Sequence, residues 1–306
     1  MHQSALYCFL ILFTVTTSSQ AQISDISPQH CAQMIKSNVM NDSAPVPCKR
    51  LKVISFNHVN FEGKTQAGKL VVLDAVASYV DNIMQSLYRM KFPIHQAKLA
   101  ENFDGDDERS MQANNTSAFN YRDITGKQSI SLHAYGTAID INPLQNPFVS
   151  FTRWGSALFK PQKGYQYLNR KQYRLGKAPA QGFAEQVIDI FSINGFRIWG
   201  GDWDTPIDFQ HFQTSREIAT LMANLSADDA ALFFNNHVHW YQQCVAFSQS
   251  EQQTLNIISY ADHLHSKLKK GNADKTKLLS VYQHTPTLIL KLIKNPQSAT
   301  ADSCFI

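Results

Sequence analysis

Charge and cysteine are both sparse in this chain: charged residues make up 17% of it, and 306 positions hold five cysteines. It has no glycine-rich phosphate loop, no internal repeat, no nucleic-acid-binding motif and no Cys-x-x-Cys pair. These absences argue against a nucleotide-driven enzyme, a solenoid, a nucleic-acid partner and a structural zinc cluster. The formal net charge of +4 is modest. It suits an anionic polymer, but charges of this size are equally common in proteins with no charged partner. The densest basic cluster, Lys267 to Lys270, reads as a solvated helix end.

Long apolar runs are also missing, with one exception, from Ala5 to Val15. Thr-Thr-Ser-Ser and the small-x-small sequence Ser19-Gln20-Ala21 follow it, so residues 1–21 read as a secretory signal peptide. A membrane anchor is the competing reading, but the run falls short of the ~20 apolar residues of a spanning helix. Tyr7 before Cys8 is too large for bacterial lipid attachment. The mature chain is therefore expected to be exported, periplasmic or extracellular, with no stable membrane insertion. Removal of Cys8 leaves Cys31, Cys48, Cys244 and Cys304. Export favours disulfides and short loops close readily, so Cys31–Cys48 and Cys244–Cys304 are the expected pairs.

Chemistry concentrates in two stretches. Ser131-Leu-His133-Ala-Tyr-Gly136-Thr-Ala-Ile-Asp140 places a histidine and an aspartate on either side of a glycine. In an extended segment Asp140 faces one side and Ile139 and Ile141 the other, while a turn at Gly136 lets His133 and Asp140 converge. Alone, such a pair is also compatible with a surface contact or a helix cap. The second stretch, Trp199-Gly-Gly-Asp202-Trp203-Asp204-Thr-Pro-Ile-Asp208-Phe-Gln-His211, sets a carboxylate three residues before a histidine. A hydrolytic zinc centre takes three ligands from His and Asp/Glu, and a separate carboxylate moves the proton. His133, Asp140 and His211 are the candidate ligands of one zinc ion per chain, and Asp208 is the candidate base.

Taken in order, Ser-x-His-x-x-Gly-x-Ala-x-Asp, Gly-Gly-Asp-Trp and acidic-x-x-His-Phe resemble the D-alanyl-D-alanine carboxypeptidase family of zinc peptidases. That family also includes vancomycin-resistance D,D-peptidases and phage L-alanyl-D-glutamate endolysins. Gly105-Asp106-Asp107, the run from Asn114 to Arg122, and Asn142-Pro143 with Asn146-Pro147 extend the resemblance over residues 51–214. The resemblance implies zinc ligands at His133, Asp140 and His211 and a base at Asp208. It also implies that Arg122 polarises the scissile carbonyl or holds a substrate carboxylate, and that Ser131 and Trp203 contact substrate. The implied activity is hydrolysis of an amide in peptidoglycan stem peptides, of D-Ala-D-Ala carboxypeptidase type. An L-Ala-D-Glu endopeptidase and a non-catalytic, zinc-containing wall-binding module stand as alternatives.

The expected architecture is α+β, with a small antiparallel sheet and flanking helices around the site. Residues 22–50 read as an irregular lead-in, 51–214 as the catalytic domain and 215–306 as a helical C-terminal extension. Leu51 to Phe56 suggests a strand. Val76, Val80, Ile83, Met84 and Leu87 predict a helix from Asp74 to Lys91. The acidic stretch Asp104 to Glu108 lacks an EF-hand's ligand spacing and reads as a loop. Phe148 to Pro179, with Lys160, Lys163, Tyr165, Tyr167, Lys171 and Tyr173, shows little periodicity and suits either a substrate-facing loop or a plain excursion. Phe183 to Phe191 marks a helix stopped at Asn194-Gly195, and Phe196 to Trp199 a strand. Beyond Thr214, Ser226 to Asp229 resembles a capping box. Helical spacing follows at Ala230 to Gln243, at Leu255, Ile258, Leu264 and Leu268, and near Leu278 to Leu292. The pairs His237/His239 and His263/His265 are two apart, which on a helix forbids chelation of one ion.

Overall fold

A computed structural model describes residues 22–124, 129–250, 256–268 and 277–305. The expected signal peptide, Cys8, Leu255 and the end of the Lys267–Lys270 cluster lie outside them. In chain order the strands are β1 (Gln22–Asp25), β2 (Leu51–Val59), β3 (Thr65–Leu73), β4 (Ala138–Asp140), β5 (Phe148–Phe151), β6 (Ala157–Lys160), β7 (Ile198–Trp199), β8 (Ile207–Asp208) and β9 (His211–Gln213). The helices are α1 (Pro28–Lys36), α2 (Ala77–Arg89), α3 (Asp107–Gln112), α4 (Ile188–Ile193), α5 (Arg216–Asn224), α6 (Ala227–Ser250), α7 (Tyr260–Leu268), α8 (Leu278–His284), α9 (Pro286–Lys294) and α10 (Ala301–Cys304). Three antiparallel sheets, β1-β2-β3, β4-β9-β7 and β6-β5-β8, make the architecture α+β, as expected.

The scaffold grows from the β2–β3 hairpin, whose Leu51, Val53, Ile54, Phe56 and Leu70 to Leu73 are all buried. α2 lays the stripe Val80, Ile83, Met84 and Leu87 on this sheet, and the chain turns out of it at Lys91, before Pro93. Residues 22–50, expected to be irregular, instead supply a strand and a helix. β1 extends the sheet in the register Gln22↔Ser55, and Ser27 with Pro28 starts α1 by a side-chain cap and a helix-compatible φ. The stretch was misread because α1 buries only Met34 fully, too little to give a periodic signal. The acidic stretch at 104–108 is likewise the start of α3, capped by Asp106, whose carboxylate accepts from Arg109 N. Phe148 to Pro179 contains the β5–β6 hairpin and a 3-10 segment, Gln162–Tyr167.

The C-terminal helices share the main core. Phe233, Phe234, Val238 and Trp240 of α6 belong to the same buried cluster as Phe191, Phe196 and Phe212. Arg50 reinforces the join, donating to Asp74 and to the carbonyls of Leu225 and Met222. Ser226 and Asp229 cap α6 as expected, and the helical spacing near 278–292 divides at Pro286 into α8 and α9. His237 and His263 are buried whereas His239 is exposed, so neither pair converges. Both expected disulfides form, Cys31–Cys48 and Cys244–Cys304. No helix among the described residues is long and apolar enough to cross a membrane.

Candidate metal centre

His133 sits on a 3-10 turn, Leu132–Tyr135, held at both ends. At its start Ser131 Oγ accepts from His133 N, and at its end Gly136 takes φ +67°. A Cβ on Gly136 would lie 2.5 Å from Leu73 N, the atom that donates to Gly136 O, so glycine is needed both for φ and for the close approach of β3. The chain then enters β4, and Ile139 goes to the core while Asp140 faces the cleft. β9 pairs with β4 in a register that sets His211 directly opposite Asp140.

The three side chains meet at one point. Asp140 Oδ2 lies 3.1 Å from His133 Nε2, Asp140 Oδ1 lies 2.9 Å from His211 Nδ1, and the two ring nitrogens are 3.2 Å apart. All three residues are buried, at 2%, 3% and 7% exposure for His133, Asp140 and His211. The far side of each ring is tied to an acceptor: His133 Nδ1 donates to Ala118 O at 2.5 Å, and His211 Nε2 to Gln213 Oε1 at 2.8 Å. These bonds fix the tautomers and turn a lone pair from each imidazole toward Asp140, the usual supporting arrangement for metal-binding histidines. Two nitrogen lone pairs and a carboxylate facing one point fit a divalent cation, and zinc in particular.

The electrostatics follow from this packing. Burial would raise the Asp140 carboxyl, but His133 and His211 outweigh it and hold the group well below the ordinary carboxylate range. Burial would lower His211, yet the bond and charge of Asp140 lift it to about 9 in the metal-free protein. Asp208 goes the other way: burial first, and the Asp140 charge second, push its carboxyl up to about 7. Its Oδ1 is buried without a hydrogen-bond partner. The paired glycines before it have steric work to do. A Cβ on Gly200 would lie 2.6 Å from Asp208 O, and one on Gly201 2.2 Å from the Trp199 ring.

A cleft of about 410 Å³ collects the remaining residues read from the sequence, with Arg122, Ser131, Trp203 and Asp208 on its wall beside the three ligands. Trp203 tilts over His211 at 5.5 Å between ring centroids. Arg122 is held by Asp107 at 3.0 Å, and its Nε is buried with no partner. Two neighbours escaped the sequence reading, Gln213 and Arg216, which lines the cleft and donates to Ile130 O, and Asp107 figures in that reading without a role. Gln213 lies two residues beyond His211 on one strand, so period-two spacing was the signal that could have revealed it. Asp107 and Arg122 are brought together only by the tertiary fold.

Two buried histidines and a buried aspartate around one point, with a separate carboxylate and a guanidinium on the same wall, define a candidate single-ion hydrolytic centre. Residues 125–214 match the family described as D-alanyl-D-alanine carboxypeptidase. The matched segment holds Ser131, His133, Asp140, Trp203, Asp208 and His211, and begins just after Arg122. No curated protein and no solved structure matches the chain.

Proposed function

We propose that the chain is an exported zinc peptidase that removes the terminal D-alanine from peptidoglycan stem peptides. The observation that carries this reading is the pairing of a His-Asp-His set that converges on one point with a separate carboxylate, Asp208, on the wall of the same cleft. His133 Nε2, His211 Nδ1 and Asp140 would hold the ion. When bound, zinc supplies Lewis acidity and brings the pKa of water to about 7. Asp208, outside the ligand set, takes a proton from the attacking water and returns it to the leaving amine. A pKa near the working pH suits a group that must both accept and release a proton. Arg122, steadied by Asp107, offers its guanidinium to the scissile carbonyl or the terminal carboxylate, and Arg216 adds a second cation to the same cleft. The two disulfides support export, since such bonds persist in oxidising compartments.

The test is mass spectrometry of a muropeptide ending in D-Ala-D-Ala, incubated with zinc-loaded or chelated protein. Loss of one D-Ala with zinc alone is expected. Cleavage after L-Ala would replace the carboxypeptidase with an endopeptidase, and the absence of any zinc-dependent product would overturn the enzyme reading. Asp208→Asn should bind zinc at full stoichiometry yet lose about 10²- to 10⁴-fold in kcat.

A further inference from the structure

From 148 to 184 the chain carries seven Lys and Arg residues and no Asp or Glu. With a net charge of +4 over the whole chain, the remainder is negative, so the basic character of the protein resides in this one excursion. Two of its cations are spoken for. Lys160 pairs with Glu108, and Arg170 is locked inside by Glu185 and Asn146. The other five, Arg153, Lys163, Lys171, Arg174 and Lys177, are exposed and have no acidic partner among the described residues.

Large apolar side chains project among these cations. Trp154 is 79% exposed at the tip of the β5–β6 hairpin, where the Arg153 guanidinium stacks on its ring at 4.5 Å. Tyr173 and Leu175 stand at 73% and 106% on a second loop, closed by a bond from Ala180 N to Gln172 O. Exposed rings and aliphatics are normal when scattered, but gathered with unpaired cations on two projecting loops they mark a contact surface. The hairpin that carries Trp154 is also continuous with the cleft. β5 pairs with β8 in the register Phe148↔Asp208, and Phe148 and Lys160 line the cleft wall.

We propose that this excursion is the docking surface for the polymeric part of the substrate, an anionic glycan-peptide chain whose cleaved end enters the cleft. The inference rests on the peptidase reading and names what the protein holds while it cuts. The unpaired cations meet the carboxylates of neighbouring stem peptides, and Trp154 and Tyr173 present flat faces to sugar rings. Continuity with the strand that carries Asp208 favours a polymer running out of the cleft over a bilayer, which needs no such connection.

The test is cosedimentation of the whole zinc-loaded chain with insoluble peptidoglycan, alongside vesicles of anionic phospholipid and turnover of a short soluble muropeptide. The variants are the quadruple Lys163→Gln, Lys171→Gln, Arg174→Gln, Lys177→Gln and the double Trp154→Ala, Tyr173→Ala. Wild-type protein should pellet with the polymer at about 50 mM salt and leave it at about 500 mM. Both variants should lose about tenfold in binding and in release of product from the polymer, with soluble-peptide turnover within about twofold of wild type. Unchanged pelleting of the variants would overturn the proposal, as would wild-type pelleting with vesicles and not with peptidoglycan. Variant-sensitive binding to the polymer without hydrolysis of any peptide would uphold the docking surface and discard the catalytic reading.

Discussion

Gln213 decides which nitrogen of His211 is free. Its Oε1 takes the Nε2 proton and leaves Nδ1 for the metal. Gln213→Leu should therefore weaken zinc binding by about 10- to 100-fold, measured by competition with a chromophoric chelator, while the fold is kept. Asp208 sets a pH dependence of its own in the metal-free protein. Its folded value is about 7, whereas in the unfolded chain it titrates as an ordinary carboxylate. Between about pH 4 and 7 the folded state thus carries a proton that the unfolded chain has lost, and stability falls as pH climbs. With chelator present, the Tm of Asp208→Asn should overtake that of wild type by a margin that widens across this window. His211, raised to about 9 by Asp140 and in part by the Asp208 charge, adds a loss at higher pH that is smaller in the variant. At this scale the convergence of His133, Asp140 and His211 was legible in the sequence, because they stand at spacings that strands and turns bring to one point. Ala118 was not, since its contribution is a backbone carbonyl that any residue could supply.

Among the elements, the short strands do more for the site than the helices. β8 and β9 are two and three residues long, and they carry Asp208 and His211. So few residues cannot show a hydrophobic period, so the sheet pairings were invisible in the sequence even though the motifs within them were plain. The same blindness hid β1, four exposed residues held by their backbone bonds to β2. β8 is paired with β5 and lies close against Gly200. Gly200→Ala would press a methyl group against Asp208 and displace the base, so kcat should fall while zinc affinity stays within a fewfold of wild type. Single-turnover kinetics beside metal titration would separate the two, and an equal loss of both would return the effect to general misfolding.

Over the whole molecule, the expected boundary at residue 214 crosses a continuous core. Arg50, between the N-terminal sheet and the end of α5, is 8% exposed and bonds to both Asp74 and the carbonyls of Met222 and Leu225. Arg50→Met would leave Asp74 buried without its cation, at a cost of about 3–5 kcal/mol read from denaturant unfolding. A single cooperative transition is expected for wild type and variant alike, because one core leaves no independent unit to unfold first. The hydrophobic periodicity found α6 and α9, which bury regular stripes, whereas Ile258, expected to be helical, lies before α7, which begins at Tyr260. Their attachment to the catalytic core was not legible, because it depends on which faces meet.

The pairing of Asp140 with His211 across β4 and β9 also puts events in order. The two residues are 71 apart in sequence and face each other only when the strands are in register. A slip of one residue would send Phe212 into the cleft and His211 into the core. A chain still lacking its second motif holds half a site, and so does a complete chain in the wrong register. The three candidate ligands therefore converge only once the β4–β9 register is set, so the site as a whole is a product of the closed sheet.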